Sequence, residues 1–203
     1  MKSDIYSFTK ETYDINCITE LVKKISAYNN LSEKQELRLT LLAEELAEMI
    51  PHLLKYGKAE FSAENKNDNY ELRIKLYADE VLDSFDREKL LSVSKSGRNA
   101  AATGILNKIR IAAETMLSDY VLADSLVNTP IDGNNNFYNM GMDITLSNYH
   151  VWTLDKYRDS AKENSAAWDE LEKSIIANLA DDITVGVING TVEIIVKKSV
   201  NGI

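Results

Sequence analysis

Ile183-Thr-Val-Gly-Val-Ile-Asn-Gly-Thr-Val-Glu-Ile-Ile-Val196 places Asn189-Gly190 between two runs of alternating apolar residues. Asn-Gly in that setting is the strongest short hairpin signal, because both central residues of the tight turn need a left-handed backbone. A two-residue turn pairs Val187 with Val192, Val185 with Ile194 and Ile183 with Val196. All six side chains then project from one face, so register and burial agree. A second hairpin is predicted upstream. Phe61 and Ala63 alternate with polar residues over Lys58 to Glu64, Asn65-Lys-Asn-Asp-Asn69 is turn-rich, and Tyr70, Leu72, Ile74 and Leu76 alternate again over Tyr70 to Asp79. Each hairpin has one wet face.

Helices account for most of the rest. One is expected over Thr12 to Asn29, and a better marked one starts at Ser32, which forms a capping box with Gln35. Leu39, Leu42, Leu46, Met49, Ile50 and Leu53 define the buried stripe of that second helix. Pro51 should kink it or end it near Ile50, since the ring removes a donor and clashes with the preceding turn. Gly57 is a natural terminator. Asp86 to Leu91 reads as a short helix, Asn99 to Leu117 as a longer one carrying Ile105, Ile109 and Ala112. Ser165 to Ala180 reads as a single helix with Trp168, Leu171, Ile175 and Leu179 on one face.

One-sided hairpins together with amphipathic helices are satisfied by an α/β (α+β) two-layer sandwich, with helices on one face of a mixed, largely antiparallel sheet. The expectation is a single domain over 1–203, its core at about 10–118 and 165–198. Residues 119–164 read as an insertion, with a strand around Met142 to Val151 and a helix around Thr153 to Lys162. Trp152, Trp168, Tyr149 and Tyr157 would pack that insertion on the core, while Asp155, Lys156, Arg158 and Asp159 read as surface charges.

Composition narrows the function classes. The 203 residues are 44% hydrophobic and 27% charged, with 8 Gly and 2 Pro, which is ordinary for a folded domain. A formal charge of -9 argues against a nucleic-acid surface. No apolar run of about 18 residues is present to cross a bilayer, and the first residues lack the apolar core of a signal peptide, so the cytoplasm is expected. Cys17, the only cysteine, falls in an apolar-periodic stretch and reads as a small buried hydrophobe; His52 reads as a capping or packing residue. No His/Cys spacing suits structural zinc.

Ser92-Val-Ser-Lys-Ser-Gly-Arg-Asn-Ala-Ala-Ala-Thr-Gly-Ile-Leu-Asn-Lys-Ile109 is a small, polar, glycine-bearing loop leading into an alanine-rich helix. Unpaired N–H groups and the positive end of the helix dipole could hold a phosphate there, reinforced by Lys95 and Arg98. Such loops are also common as plain connections.

This order of elements resembles the GHKL-type nucleotide-binding domain of gyrases, histidine kinases and related ATPases, and especially its anti-sigma-factor branch. Leu39-Thr-Leu-Leu-Ala-Glu-Glu-Leu-Ala-Glu-Met-Ile-Pro-His52 resembles that fold's first conserved helix, and Leu72-Arg-Ile-Lys-Leu-Tyr-Ala-Asp79 the strand ending in an adenine-binding Asp. Gly97 through Gly104-Ile-Leu resembles the phosphate lid and the helix start after it. Leu90 to Asn99 and Trp168 to Asp181 are further similar to a Firmicutes group of ATP-binding-domain proteins.

The resemblance implies Glu45 as the catalytic carboxylate, Glu48 as a magnesium ligand, and Asp79, Lys95, Ser96, Gly97, Arg98, Asn99 and Gly104 as ATP contacts. Departures are specific. The family's magnesium-binding Asn, four residues after the catalytic Glu, is Met49 if counted from Glu45, a poor ligand for a hard cation, and Glu48 if counted from Glu44, which could bind magnesium but adds negative charge beside the phosphates. Where the family has Asp-x-Gly-x-Gly, this chain has Asp79-Glu-Val-Leu-Asp83, whose side chains hinder close approach of the backbone to a nucleotide. Glu44, Glu45 and Glu48 also suit a solvated helix flank. The expectation is a cytoplasmic regulator with a degenerate ATPase fold, acting on a protein partner such as a sigma factor or signalling regulator, with weak ATP and magnesium binding. An active ATPase or protein serine kinase, and a nucleotide-independent interaction module, are the alternatives.

Overall fold

The computed structural model describes residues 1–53, 57–78, 104–128, 151–188 and 191–200; the expected helix at Asp86 to Leu91 lies outside them. Its six-stranded sheet consists of β1 (Tyr6–Phe8), β2 (Gly57–Lys66), β3 (Asn69–Ala78), β4 (Trp152–Thr153), β5 (Asp182–Ile188) and β6 (Thr191–Ser199). Spatial order is β1-β2-β3-β6-β5-β4, and every described pairing is antiparallel. The helices are α1 (Ile15–Tyr28), α2 (Glu33–Glu48), α3 (Ile50–Leu53), α4 (Ile105–Asn128), α5 (Leu154–Ala161), α6 (Ser165–Lys173) and α7 (Ile175–Leu179).

Alternation decides which face of the sheet is covered. Ala59, Phe61, Ala63, Leu72, Ile74, Leu76, Ile183, Val185, Val192, Ile194 and Val196 are all buried. Val187 faces Val192, Val185 faces Ile194 and Ile183 faces Val196, as the Asn-Gly reading requires. The other hairpin turns on Asn67 and Asp68, whose φ values of 53° and 65° are those of a primed two-residue turn. Asn65 Oδ1 secures it by accepting from the Asp68 amide at 2.9 Å.

The opposite face is an ionic lattice. Glu193, only 3% exposed, accepts from Arg73 Nη1 at 2.8 Å and lies 3.2 Å from Lys75 Nζ; Arg73 Nη2 reaches Glu71 at 3.0 Å. Burying Glu193 is tolerable because both its oxygens have cationic partners.

The helical layer follows its capping chemistry. Asp14 caps α1 by accepting from the Asn16 amide. Ser32 and Gln35 complete the capping box of α2, with Gln35 Oε1 accepting from the Ser32 amide at 2.9 Å. Leu39, Leu42, Leu46, Met49, Ile50 and Leu53 are buried, and the α2 helix ends at Glu48, with Pro51 inside the short α3. α1 packs on α2 and β2, α4 on β5 and β6, and α2 also meets α7.

Several expectations change. β1 is unforeseen; it adds an edge to β2 and buries Phe8. α4 runs on to Asn128, past Leu117, and on its inner side Ala113 is buried while Ala112 is half-buried. The later part of the 119–164 range joins the core, since Trp152 pairs with Val185 and both Leu154 and Ala161 are buried. Thr153 caps α5 where a helix was expected. Cys17 is half-buried rather than enclosed.

The expected helix over Ser165 to Ala180 is two helices. Ser174 adopts an extended backbone, accepts from the Ala177 amide and restarts the helix as α7. That shift changes the buried set to Leu171, Ile176 and Ala177, leaving Trp168 39% and Ile175 46% exposed. The Trp168 indole N–H donates to Glu172 at 2.7 Å instead of packing on the core; Trp152 and Tyr157 do pack together, their rings 6.0 Å apart. Arg158 is no mere surface charge. Its guanidinium donates to the carbonyls of Ala177, Ala180 and Asp181 at 2.6, 3.1 and 3.0 Å, satisfying the end of α7.

Candidate functional site

The stripe of α2 that fills the core fixes the orientation of its flank. With Leu42, Leu46 and Met49 turned inward, Glu45 and Glu48 share the edge of the helix facing α4 and α6. They line an open cleft of about 570 Å³, which Met49, His52, Glu170, Lys173, Ser174 and Ile175 also border. The start of α4 forms the remaining wall through Gly104, Ile105, Leu106, Asn107 and Arg110.

Gly104 is held at φ +89°, a backbone conformation that favours glycine, with open space where a Cβ would project. Helix α4 begins directly after it, so the positive end of its dipole is directed toward this side of the molecule. Arg110 is oriented by its own helix: Nη1 donates to Glu114 at 3.1 Å and Nε to Asn107 at 3.4 Å. Glu114 is only 2% exposed. The cleft therefore mixes carboxylates, from Glu45 and Glu48 on α2 and Glu170 on α6, with cations, from Arg110 on α4 and Lys173 on α6.

Partial burial raises the Glu45 carboxyl above the ordinary glutamate range, and the nearby Glu48 charge raises it further. Both effects disfavour a second negative charge in a confined acidic corner. A proton on Glu45 is thus easier to keep than on a solvated glutamate. Glu48 itself is exposed.

Three of the residues singled out in the sequence come together here: Glu45, Glu48 and Gly104. Glu44 does not line the cleft, and Asp79, Lys95, Ser96, Gly97, Arg98 and Asn99 lie outside the described residues. His52 is exposed on the cleft rim rather than packed. Arg110, Glu170 and Lys173 were not anticipated. Arg110 did leave a signal, a carboxylate four residues on at Glu114 within the apolar run Ile-Ala-Ala-Glu-Thr-Met. Lys173 left none, because only the break at Ser174 brings the end of α6 to this wall.

Two carboxylates three residues apart suit magnesium, which takes one or two protein carboxylates and completes its shell with phosphate and water oxygens. Met49, four residues after Glu45, is buried and its thioether offers no oxygen. Among the described residues no group of three or more His, Cys, Asp or Glu could hold a metal alone, and no helix is long and apolar enough to cross a membrane. No protein-family model, curated protein or solved structure matches the chain.

Proposed function

We propose that this chain is a cytoplasmic regulatory protein on a degenerate GHKL-type scaffold, binding the phosphates of ATP in the α2–α4 cleft and acting on a protein partner such as a sigma factor or signalling regulator. The observation that carries the reading is the convergence of Glu45, Glu48 and Gly104, separated by more than fifty residues of sequence, on one cleft. The helix–helix–hairpin–helix–hairpin order on which the family resemblance rests supports it. Glu48, with Glu45 beside it, would hold magnesium, which when bound offsets the phosphate charge that the acidic wall would otherwise repel. The loss of the amide at Met49 favours regulation over turnover.

Thermal unfolding with ATP, ADP and AMP, each with and without magnesium, tests this. A ligand at a hundred times its dissociation constant adds about 2.7 kcal/mol of stability. A magnesium-dependent upward shift with ATP is expected. No shift with any nucleotide overturns the reading and leaves a nucleotide-independent interaction module. Recovery of partners unconnected with transcription or signalling, in a pull-down from the native cell, overturns the regulatory part.

A second reading is favoured by the raised Glu45 carboxyl. A carboxylate that holds its proton more readily is a better general base, so Glu45 would take the proton from water or a serine hydroxyl in an ATPase or protein serine kinase. It requires magnesium-dependent release or transfer of phosphate that Glu45→Ala abolishes.

A further inference from the structure

We infer that Arg110, anchored by Glu114 and joined by Lys173 across the cleft, is the phosphate-binding cation of this site; the inference rests on reading the cleft as a nucleotide site. The Glu114 carboxylate, only 2% exposed, is costly to bury, and its ion pair with Arg110 Nη1 at 3.1 Å offsets part of that cost. The pair lies one helical turn apart on α4, so Arg110 cannot move into solvent without giving up an ion pair to a buried carboxylate. The guanidinium is therefore pre-set before any ligand arrives.

Donor accounting gives the ligand class. Arginine has five N–H donors in a planar fork, and the bonds to Glu114 and Asn107 use two of them. Nη2 and the second Nη1 hydrogen are left for an acceptor in the cleft that Arg110 lines. A planar fork with two adjacent donors fits phosphate oxygens better than a single carbonyl. Lys173, exposed at the end of α6, supplies a second positive charge to the same space. The carboxylates and cations that line the cleft together suit a phosphate chain carrying a divalent cation, and suit neither a free anion nor a free cation as well.

Arg110 is thus assigned as a binding residue and Glu114 as a positioning residue. Calorimetric titration of the full chain with magnesium–ATP and with magnesium–tripolyphosphate tests both. Arg110→Ala should weaken each ligand by about tenfold to a hundredfold, the range for a lost charged hydrogen bond, with Arg110→Lys between it and the wild type. Lys173→Ala, at an exposed site that does not threaten folding, should weaken both by several-fold. Glu114→Gln should weaken binding in the wild-type background and change nothing further when Arg110 is already alanine, a coupling that a merely structural role does not produce.

If Arg110→Ala fails to fold, the paired replacement of Arg110 by Met and Glu114 by Leu removes both charges together and should bind as weakly as expected for Arg110→Ala. A wild-type chain that binds neither ligand overturns the nucleotide reading itself. A wild-type chain that binds, with affinity unchanged in the Arg110 and Lys173 variants, overturns this inference alone. Loss with ATP but not with tripolyphosphate also overturns it, because Arg110 would then read another part of the nucleotide.

Discussion

Two walls of the same cleft are built by opposite routes. The α2 wall starts from a complete capping box at Ser32 and keeps one helical phase through Glu48, so its buried stripe and its acidic flank follow from spacing alone. The α6–α7 wall loses its phase at Ser174, where one extended residue turns Ile176 inward and leaves Ile175 and Lys173 at the cleft. The contrast teaches that a serine which begins a helix is obvious at a chain reversal and nearly invisible inside an apparently continuous periodic run. Both caps use the same physics, a hydroxyl accepting from the amide three residues on.

The largest effect should separate the two neighbouring isoleucines of the second wall. Ile176→Ala removes a fully buried side chain and should cost about 2–5 kcal/mol in urea unfolding, whereas Ile175→Ala should stay within about 0.5 kcal/mol. Equal costs would break the claim that Ser174 resets the phase. Arg158→Ala should come next, at about 1.5–3 kcal/mol, because it strips charged donors from the carbonyls of Ala177, Ala180 and Asp181. Among the described residues, the end of α2 has only the neutral Tyr13 hydroxyl on its Ala47 carbonyl, at 2.9 Å, so an Arg158→Ala variant as stable as the wild type would erase that distinction.

Smaller effects sharpen the same contrast. Ser32→Ala and Ser174→Ala should each cost about 1 kcal/mol, and a neutral Ser174→Ala would mean that packing rather than the cap sets the break. Smallest is the effect of Glu45. Its carboxyl is raised in the folded chain, so the folded state binds the proton more tightly and stability falls as pH rises from the ordinary glutamate range through the raised value. Glu45→Gln should therefore melt slightly above the wild type at neutral pH, with the gain vanishing in acid below the ordinary range. A gain that persists unchanged in acid would remove titration as its cause.

What was legible in the chain was what alternates or caps locally. Both hairpins, the Val187–Val192 register and the α2 stripe needed only neighbours in sequence, and a one-residue slip in either hairpin would have put charges such as Lys75 or Glu193 into the core. What was hidden depended on distant partners. β1 is three residues long, too short to show a period, and exists because β2 offers it an edge. Arg158 carries its role only because α5 comes to lie beside the end of α7. In the cleft, Glu45, Glu48 and Gly104 could be noted from motif spacing, whereas Arg110 and Lys173 acquire meaning from which helices meet.

The strand order has a consequence for how this chain comes into being. β6, the last strand in sequence, lies at the centre of the sheet between β3 and β5. Until it emerges from the ribosome, β3 and β5 are raw edges with unpaired amides and apolar faces, open to self-association. The seam it closes joins residues more than a hundred positions apart, so the β3–β6 pairing comes late even though each hairpin beside it is local. A chain cut short before Thr191 would be a hazard to its neighbours, not a smaller version of this fold.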